Sequence, residues 1–269
     1  MWPDGEEIER AALEDLHAAA APELATALGL SCRLLGSARL SMAPALPASA
    51  IVINRVLGLG LDAPVERQTL ARITEAYGAA EVRRYFVHLH PEARPPEAAQ
   101  WLQELGLERT RAWVKFERGR EAPPATRTTL EIRAAEADDR AAFGEIVADA
   151  FDLGAAAAPL IGGLIGRPGW HVFMSFEGDQ AAGAGTLFVR DGVGWLDWGA
   201  TRPAFRGRGS QSAILARRIE AALDLGCRLL ATTTGEEVPG DPQHSYSNIV
   251  RMGFRPAYLR QNYAPPKPS

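Results

Sequence analysis

The residues whose types and spacing point most directly to chemistry lie in one run, Trp195-Leu196-Asp197-Trp198-Gly199-Ala200-Thr201-Arg202-Pro203-Ala204-Phe205-Arg206-Gly207-Arg208-Gly209-Ser210-Gln211-Ser212-Ala213-Ile214-Leu215. A strand-like stretch passes through a short glycine loop into the start of a helix. Glycines let the backbone approach a ligand and turn its N–H groups inward, and a helix N-terminus carries roughly half a positive charge. Such a turn binds an anion. Arg206 and Arg208 add charge beside it, which fits a diphosphate better than a lone carboxylate. The loop lacks the Gly-Lys-Ser/Thr of a phosphate-binding P-loop, and Ser212 stands where a GxGxxG motif needs its last glycine.

The elements that must hold this turn follow an α/β rhythm. Thr129 to Arg133 reads as a strand and Asp138 to Asp152 as an amphipathic helix; Leu153 to Gly166, rich in Ala and Gly, reads as a buried or pocket-lining helix too short to span a bilayer. Trp170 to Phe176, Gly183 to Val189 and Gly194 to Ala200 read as an antiparallel meander joined by turn-like Glu177-Gly178-Asp179-Gln180 and Asp191-Gly192. A helix from Ser210 to Leu225 with Gly226 as its stop, a strand from Arg228 to Thr233, a helix from Gln243 to Met252 and a strand from Arg255 to Tyr263 complete this part.

The preceding part echoes that plan. Ile51 to Ile53 reads as a strand, Pro64 to Tyr77 as a helix, Tyr85 to Leu89 as a strand, Pro96 to Leu105 as a helix and Ala112 to Phe116 as a strand. Gly58-Leu59-Gly60 lies where Gly207-Arg208-Gly209 lies, Gly78 answers Gly226, and Leu105-Gly106-Leu107 answers Met252-Gly253-Phe254, which reads as a diverged tandem duplication. In the first copy leucines replace the arginines of the turn, so burial accounts for them better than phosphate binding. The composition breaks at Arg118 to Thr126, where a double proline favours extended chain, and this places a boundary: units at 1–120 and 128–269 with a linker at 121–127.

Composition excludes several classes. With 46% hydrophobic and 23% charged residues in 269, the chain is globular rather than disordered, and a net charge of −4 supplies no field toward nucleic acid or an anionic membrane. The acidic start Met1 to Glu7 is unlike a secretory signal and no apolar run approaches membrane-spanning length, so a cytoplasmic protein is expected. Cys32 and Cys227 lack a CxxC spacing and read as small buried hydrophobes. His88 and His90 alternate without a third ligand at metal spacing, so no metal is expected; Trp101, Trp113 and Phe116 read as packing, and His244 as a cap or exposed residue.

On the segment Pro203-Ala204-Phe205-Arg206-Gly207-Arg208-Gly209 the chain resembles the GCN5-related N-acetyltransferase (GNAT) family, whose pyrophosphate signature is Q/R-x-x-G-x-G/A after the fourth strand. Both glycines match; Ala204 stands where the signature has Gln or Arg. The resemblance covers about Thr128 to Tyr263, including the family's common Gly253-Phe254 ending, and the whole is similar to tandem acetyltransferases with a degenerate N-terminal copy. It implies an α/β fold of two GNAT-like units, each a mixed central sheet flanked by helices, the first incomplete.

The resemblance further implies acetyl-CoA as co-substrate, with the backbone of Ala200 and Thr201 pairing with the pantetheine arm and the amides from Arg206 through Gly207, Arg208, Gly209, Ser210 and Gln211 to Ser212 holding the pyrophosphate. Asp197 occupies a place where the family often has an acidic residue and is the first candidate base. The family's general-acid tyrosine is replaced by Ile249, leaving Tyr246, one helical turn earlier, as the candidate acid. The acid of the fifth strand is also missing, with Thr232-Thr233-Thr234 there, which makes Glu236 a second candidate base. The reading is an N-acetyltransferase that moves an acetyl group from acetyl-CoA to a primary amine of a small molecule by direct attack, working without nucleic acid, membrane or metal, as a monomeric internal pseudo-dimer or a homodimer. A non-catalytic acyl-CoA sensor and a protein N-acetyltransferase are the alternatives.

Overall fold

The computed structural model describes residues 4–238, 240, 241 and 243–267; Met1 to Pro3 of the acidic start lie outside the described residues. The described residues open with α1 (Asp4–Ala18), whose acidic first turn complements the positive end of the helix dipole, and α2 (Pro22–Leu28), then a hairpin of β1 (Ser31–Leu35) and β2 (Ala38–Met42). β3 (Arg55–Leu57), α3 (Arg67–Ala79), β4 (Phe86–Leu89), α4 (Ala98–Glu104) and β5 (Glu108–Arg118) follow. After irregular chain at 121–128 come β6 (Glu131–Ala134), α5 (Arg140–Ala150), a 3-10 turn and α6 (Ala158–Gly162), then β7 (Trp170–Glu177), β8 (Gln180–Arg190) and β9 (Val193–Thr201). α7 (Ser210–Asp224), β10 (Leu229–Gly235), α8 (His244–Arg251) and β11 (Arg255–Ala264) close the chain. Among the described residues no helix is long and apolar enough to cross a membrane.

All eleven strands of the described residues form one mixed sheet, in the order β1-β2-β3-β4-β11-β5-β10-β9-β8-β7-β6. The mixed sheets expected of the two units are joined edge to edge into this one sheet. The last strand of each half crosses into the other: β11 lies between β4 and β5, and β5 lies between β11 and β10, every one of these pairs antiparallel. On either side a parallel pair completes the arrangement, β3 with β4 and β9 with β10. The two halves therefore mirror one another about the β5–β11 seam, and each supplies the strand that the other would leave as an open edge. The N-terminal helix crosses as well, packing on β9 and β10.

One expectation in each half fails for an identifiable reason. Ile51 to Ile53 is a turn, held by bonds from Ile53 N and Asn54 N to Ala50 O, and the strand begins at Arg55; burial of Ile53 in the core outweighs its β-branched preference. The β1–β2 hairpin gives little signal because β1 is an edge strand without an alternating buried face. The segment from Leu153 is a 3-10 turn and a five-residue helix, not one long helix, with Leu153, Leu160, Ile161 and Leu164 buried beside α1 and α5. Cys227 is buried; Cys32, on β1, is half-buried.

Three large apolar clusters and a small one of Leu130, Ala182 and Phe205 divide the interior of the described residues. One lies under α1, α5 and α6, with Trp170, Trp195 and Trp198; one lies under α3 and α4; the third lies under α7 and α8, with Val114, Phe116 and Leu196. Helices thus cover both faces of the sheet, and the site opens where the sheet splits.

Candidate active site at the split sheet

The parallel pairing of β9 with β10 ends at Trp195 and Ala231, although both strands run on. The cause is a bulge in β9. Ala184 pairs with Ala200 and Thr186 with Asp197, so Trp198 and Gly199 oppose Gly185 alone, and Trp198 adopts φ 51°. A tryptophan in that region costs on the order of 1–2 kcal/mol, which the surroundings offset. Trp198 N donates to Asp197 Oδ1 (2.9 Å), and its ring meets Phe151 edge-on with centroids 5.3 Å apart. From α7, Arg218 Nη1 donates to the carbonyls of Asp197 and Thr186, each at 3.1 Å. Gly185 makes room for it, since a Cβ there would lie 2.8 Å from Arg218 Cζ.

The bulge also breaks the alternation of faces along β9. Leu196 and Trp198 do not share a face: Leu196 packs beneath α7 and Trp198 beneath α1 and α5. Asp197 and Gly199 both border the split.

Three cavities line up along the split and share walls. The first, about 920 Å³, is bounded by Gly199 to Thr201, the turn from Phe205 to Ser212, and the face of α8 carrying His244, Ser245, Ser247, Asn248 and Arg251. A middle cavity of about 110 Å³ lies between β9 and β10 and includes Asp197, Thr232 to Thr234 and Ile249. The innermost, about 230 Å³, is lined by Val52, Arg55 and Trp113 from the first half and by Phe151, Trp195, Asp197, Thr233, Thr234 and Gly235.

The glycine turn holds the start of α7 open to the first cavity. Gly207 and Gly209 have φ of 76° and 81°, and no side chain caps the helix, so the first-turn N–H groups are left for an anion. Gly209 is required by the chain behind it, because a Cβ would sit 2.2 Å from Arg127 O. Arg206 is exposed in this cavity, whereas Arg208 turns outward to pair with Glu177. Ser210 Oγ bonds Ser175 Oγ (2.7 Å), and Ser212 Oγ donates to Asn248 Oδ1 (2.7 Å), tying α7 to α8. Ala200, Thr201, Arg206, Gly207, Gly209, Ser210, Gln211 and Ser212 thus meet in one cleft, and Arg208 does not join them.

In the first half the corresponding glycine turn is closed. Arg94 N donates to Gly60 O (3.0 Å), and Leu57 and Leu59 are buried.

Asp197 is half-buried, and its carboxylate accepts bonds from Trp195 Nε1 (3.0 Å) and Trp198 N. Burial lifts its proton affinity above the ordinary carboxylate range; the Arg55 charge and the two N–H donors oppose that rise without cancelling it. The other two candidate groups lie elsewhere. Tyr246 packs edge-on against Phe116, centroids 5.0 Å apart, and Glu236 Oε1 accepts from Ala112 N (2.8 Å), continuing the β5–β10 ladder; neither lines any of the three cavities. No tyrosine lines them among the described residues.

Beneath the innermost cavity runs a buried charge network. Glu9 of α1 accepts from Arg55 Nη1 (2.5 Å), Lys115 Nζ (2.5 Å) and Arg260 Nη1 (2.6 Å), and Glu6 accepts from Arg260 Nη1 (3.0 Å) and the Tyr258 hydroxyl (2.7 Å). Burial raises the proton affinity of Glu9, but the charges of Arg260, Lys115 and Arg55 outweigh it and hold the carboxyl well below its usual range. Lys115 Nζ also lies 4.6 Å from the centre of the Trp195 ring. His88, bonded through Nδ1 to Asn262 Oδ1 (2.6 Å), has its pKa pushed well down by burial.

Sequence reasoning missed Arg55, Trp113, Phe151 and Arg218 as site residues. Arg55 carries the one usable signal, a lone charge inside the apolar run Val52 to Leu61. Trp113 belongs to a strand of the other half, and nothing local indicates where its ring ends.

The sequence matches no protein-family model and no curated protein. Among solved structures the chain is similar to a GCN5-related N-acetyltransferase from Kribbella flavida, with a TM-score of 0.67 and 17% identity over 100% of this chain and 98% of that one. It is similar to a tandem GNAT protein from the clavulanic acid biosynthesis pathway, with a TM-score of 0.61 and 16% identity over 86% and 78%. A GCN5-related N-acetyltransferase from Sphaerobacter thermophilus gives 0.60 and 16% over 86% and 81%. At such identities the likeness is one of backbone architecture, and the split, bulged sheet with a glycine turn at its mouth is accounted for: the chain has the GNAT fold.

Proposed function

We propose that this protein is an N-acetyltransferase that moves an acetyl group from acetyl-CoA to the primary amine of a small-molecule acceptor. The observation that carries the reading is the line of three cavities along the split, with uncapped N–H groups at one end and a half-buried carboxylate at the other. The first cavity suits a nucleotide diphosphate, which the α7 amides and Arg206 would hold. The narrow middle cavity would take the thioester end and keep water from it. The innermost takes the acceptor.

In the reaction the amino group of the acceptor gives a proton to Asp197, and its nitrogen lone pair attacks the thioester carbonyl carbon. The C–N bond forms and the C–S bond breaks. The remaining proton lost by nitrogen ends on the departing sulfur. A thiol has a pKa of about 8.5, so its thiolate leaves near neutral pH without a strong acid, and the placement of Tyr246 against Phe116 is compatible with turnover. That same placement favours the second reading, a sensor that binds acyl-CoA without turning it over.

Release of free thiol on mixing the protein, acetyl-CoA and a panel of primary amines separates the two. Asp197→Asn should lower the rate by about 10² while leaving acetyl-CoA affinity unchanged. Binding of acetyl-CoA with no thiol released by any amine would favour the sensor.

A further inference from the structure

Resting on the reading of the innermost cavity as the acceptor site, the chemistry of its wall narrows the acceptor class. One cation and one carboxylate face this cavity, Arg55 and Asp197, and they form no ion pair with each other. Arg55 is only 4% exposed, yet among the described residues only one of its five N–H donors, on Nη1, has a partner, and its Nε is buried with none. The Glu9 carboxylate that meets it is shared with Lys115 and Arg260, so the Arg55 charge is compensated only in part. A buried guanidinium with an unfilled fork is costly unless a planar anion completes it. The remaining wall is apolar and aromatic, made by Val52, Trp113, Phe151 and Trp195, with the hydroxyls of Thr233 and Thr234 beside it. At about 230 Å³ the space is smaller than the roughly 300 Å³ at which drug-sized sites begin.

We propose that the acceptor is a zwitterionic amino acid with an apolar side chain, its carboxylate held by Arg55 of the first half and its amino group presented to Asp197 of the second. Both ends of the substrate then meet opposite charge, and its side chain lies among the tryptophans. Proton transfer to Asp197 during attack leaves the carboxylate on Arg55 undisturbed, so the same contact orients substrate and product. The first half is thereby part of the acceptor site, and the crossing of strands at the centre of the sheet is what brings Arg55 to Asp197.

The test uses matched acceptors with the full-length protein: phenylalanine against phenethylamine and phenylalanine amide, and leucine against 3-methylbutylamine. Thiol release should give kcat/KM at least about 10-fold higher for the amino acids, the effect of one charge-assisted fork. Arg55→Lys keeps a cation for Glu9 but loses the fork, and should abolish that preference while the melting temperature stays close to that of the parent. Calorimetry of phenylalanine binding in the presence of CoA reads the same contact without turnover, with at least about 10-fold weaker binding in Arg55→Lys. Equal or better use of the decarboxylated amines would overturn this proposal and leave the acetyltransferase reading standing. Thiol release by no acceptor, together with phenylalanine binding that depends on Arg55, would remove the catalytic reading and keep the amino acid site. Absence of phenylalanine binding overturns the site as well.

Discussion

Replacing Glu9 by glutamine removes the carboxylate on which α1, β3, β5 and β11 converge. Three cations, Arg55, Lys115 and Arg260, lie within 2.6 Å of its oxygens, and the Glu9 side chain is wholly buried. Glutamine can still accept a bond from one of them, but it leaves buried cations facing a neutral amide. Breaking a buried pair by removing one partner costs about 3–5 kcal/mol, more than the pair itself contributes against an apolar substitute, because the remaining charge stays desolvated. With an unfolding entropy of about 2.1 cal/mol/K per residue, a chain of 269 residues loses about 5–9 °C in Tm for that change, if it unfolds in one step. The assay is thermal unfolding at pH 7 followed by circular dichroism, with Glu7→Gln, on the outer face of the same helix, as the control expected to shift by about 1 °C or less. The pH dependence has a definite sign. The folded-state pKa of Glu9 is depressed, so its contribution is complete above the ordinary glutamate pKa of about 4.3 and is lost as pH falls toward the folded value. The parent should therefore lose stability on acidification below that point, and Glu9→Gln should lose less. A Tm within 2 °C of the parent at pH 7, with an unchanged acid limb, would refute the reasoning that these charges are desolvated together.

Other consequences follow from the same geometry. Asp197 must be ionised to accept a proton and its pKa lies above the ordinary carboxylate range, so kcat/KM should fall as pH drops through that raised value; the limb should vanish in Asp197→Asn. Arg206→Ala should weaken acetyl-CoA binding by about 5- to 10-fold, the scale of one charge-assisted contact, whereas Arg208→Ala, whose partner is Glu177, should change it less than about 2-fold; calorimetric titration of both variants is the check. Gly185→Ala would drive a methyl group into Arg218, at a cost of about 1–3 kcal/mol, and should lower turnover through the β9 bulge; chemical denaturation and thiol release measure the two effects. A chain beginning at Pro124 lacks β5, so β10 and β11 both lose their shared neighbour; such a fragment should aggregate or remain unfolded, as size-exclusion chromatography and circular dichroism would report.

Much of the second half was legible because its signals are local. The turn Gly207-Arg208-Gly209, the periodicity of α7 and the stop at Gly226 each act through neighbours a few residues away, and the structure places those elements within a residue or two of expectation. The open glycine turn could be read for the same reason, since uncapped N–H groups and glycine conformations are properties of a short segment. What depended on distant chain was not legible. β11 was readable as a strand, but its position between β4 and β5 is set by partners more than a hundred residues away. The bulge at Trp198 is held by Arg218 and Phe151 from other elements, and alternation along β9 gave no warning of it. Tyr246 and Glu236 were plausible by spacing; packing on Phe116 and the bond to Ala112 draw them away from the cavities. Arg55 and Trp113 became site residues only through the crossing of the halves, because a period of two or 3.6 tells which side of an element a residue occupies and not what lies opposite it. Composition and local pattern specified most of the strands and helices and the glycine turn; long-range pairing, whose energy comes from burying whole faces and paired charges together, decided which side chains share the cavity.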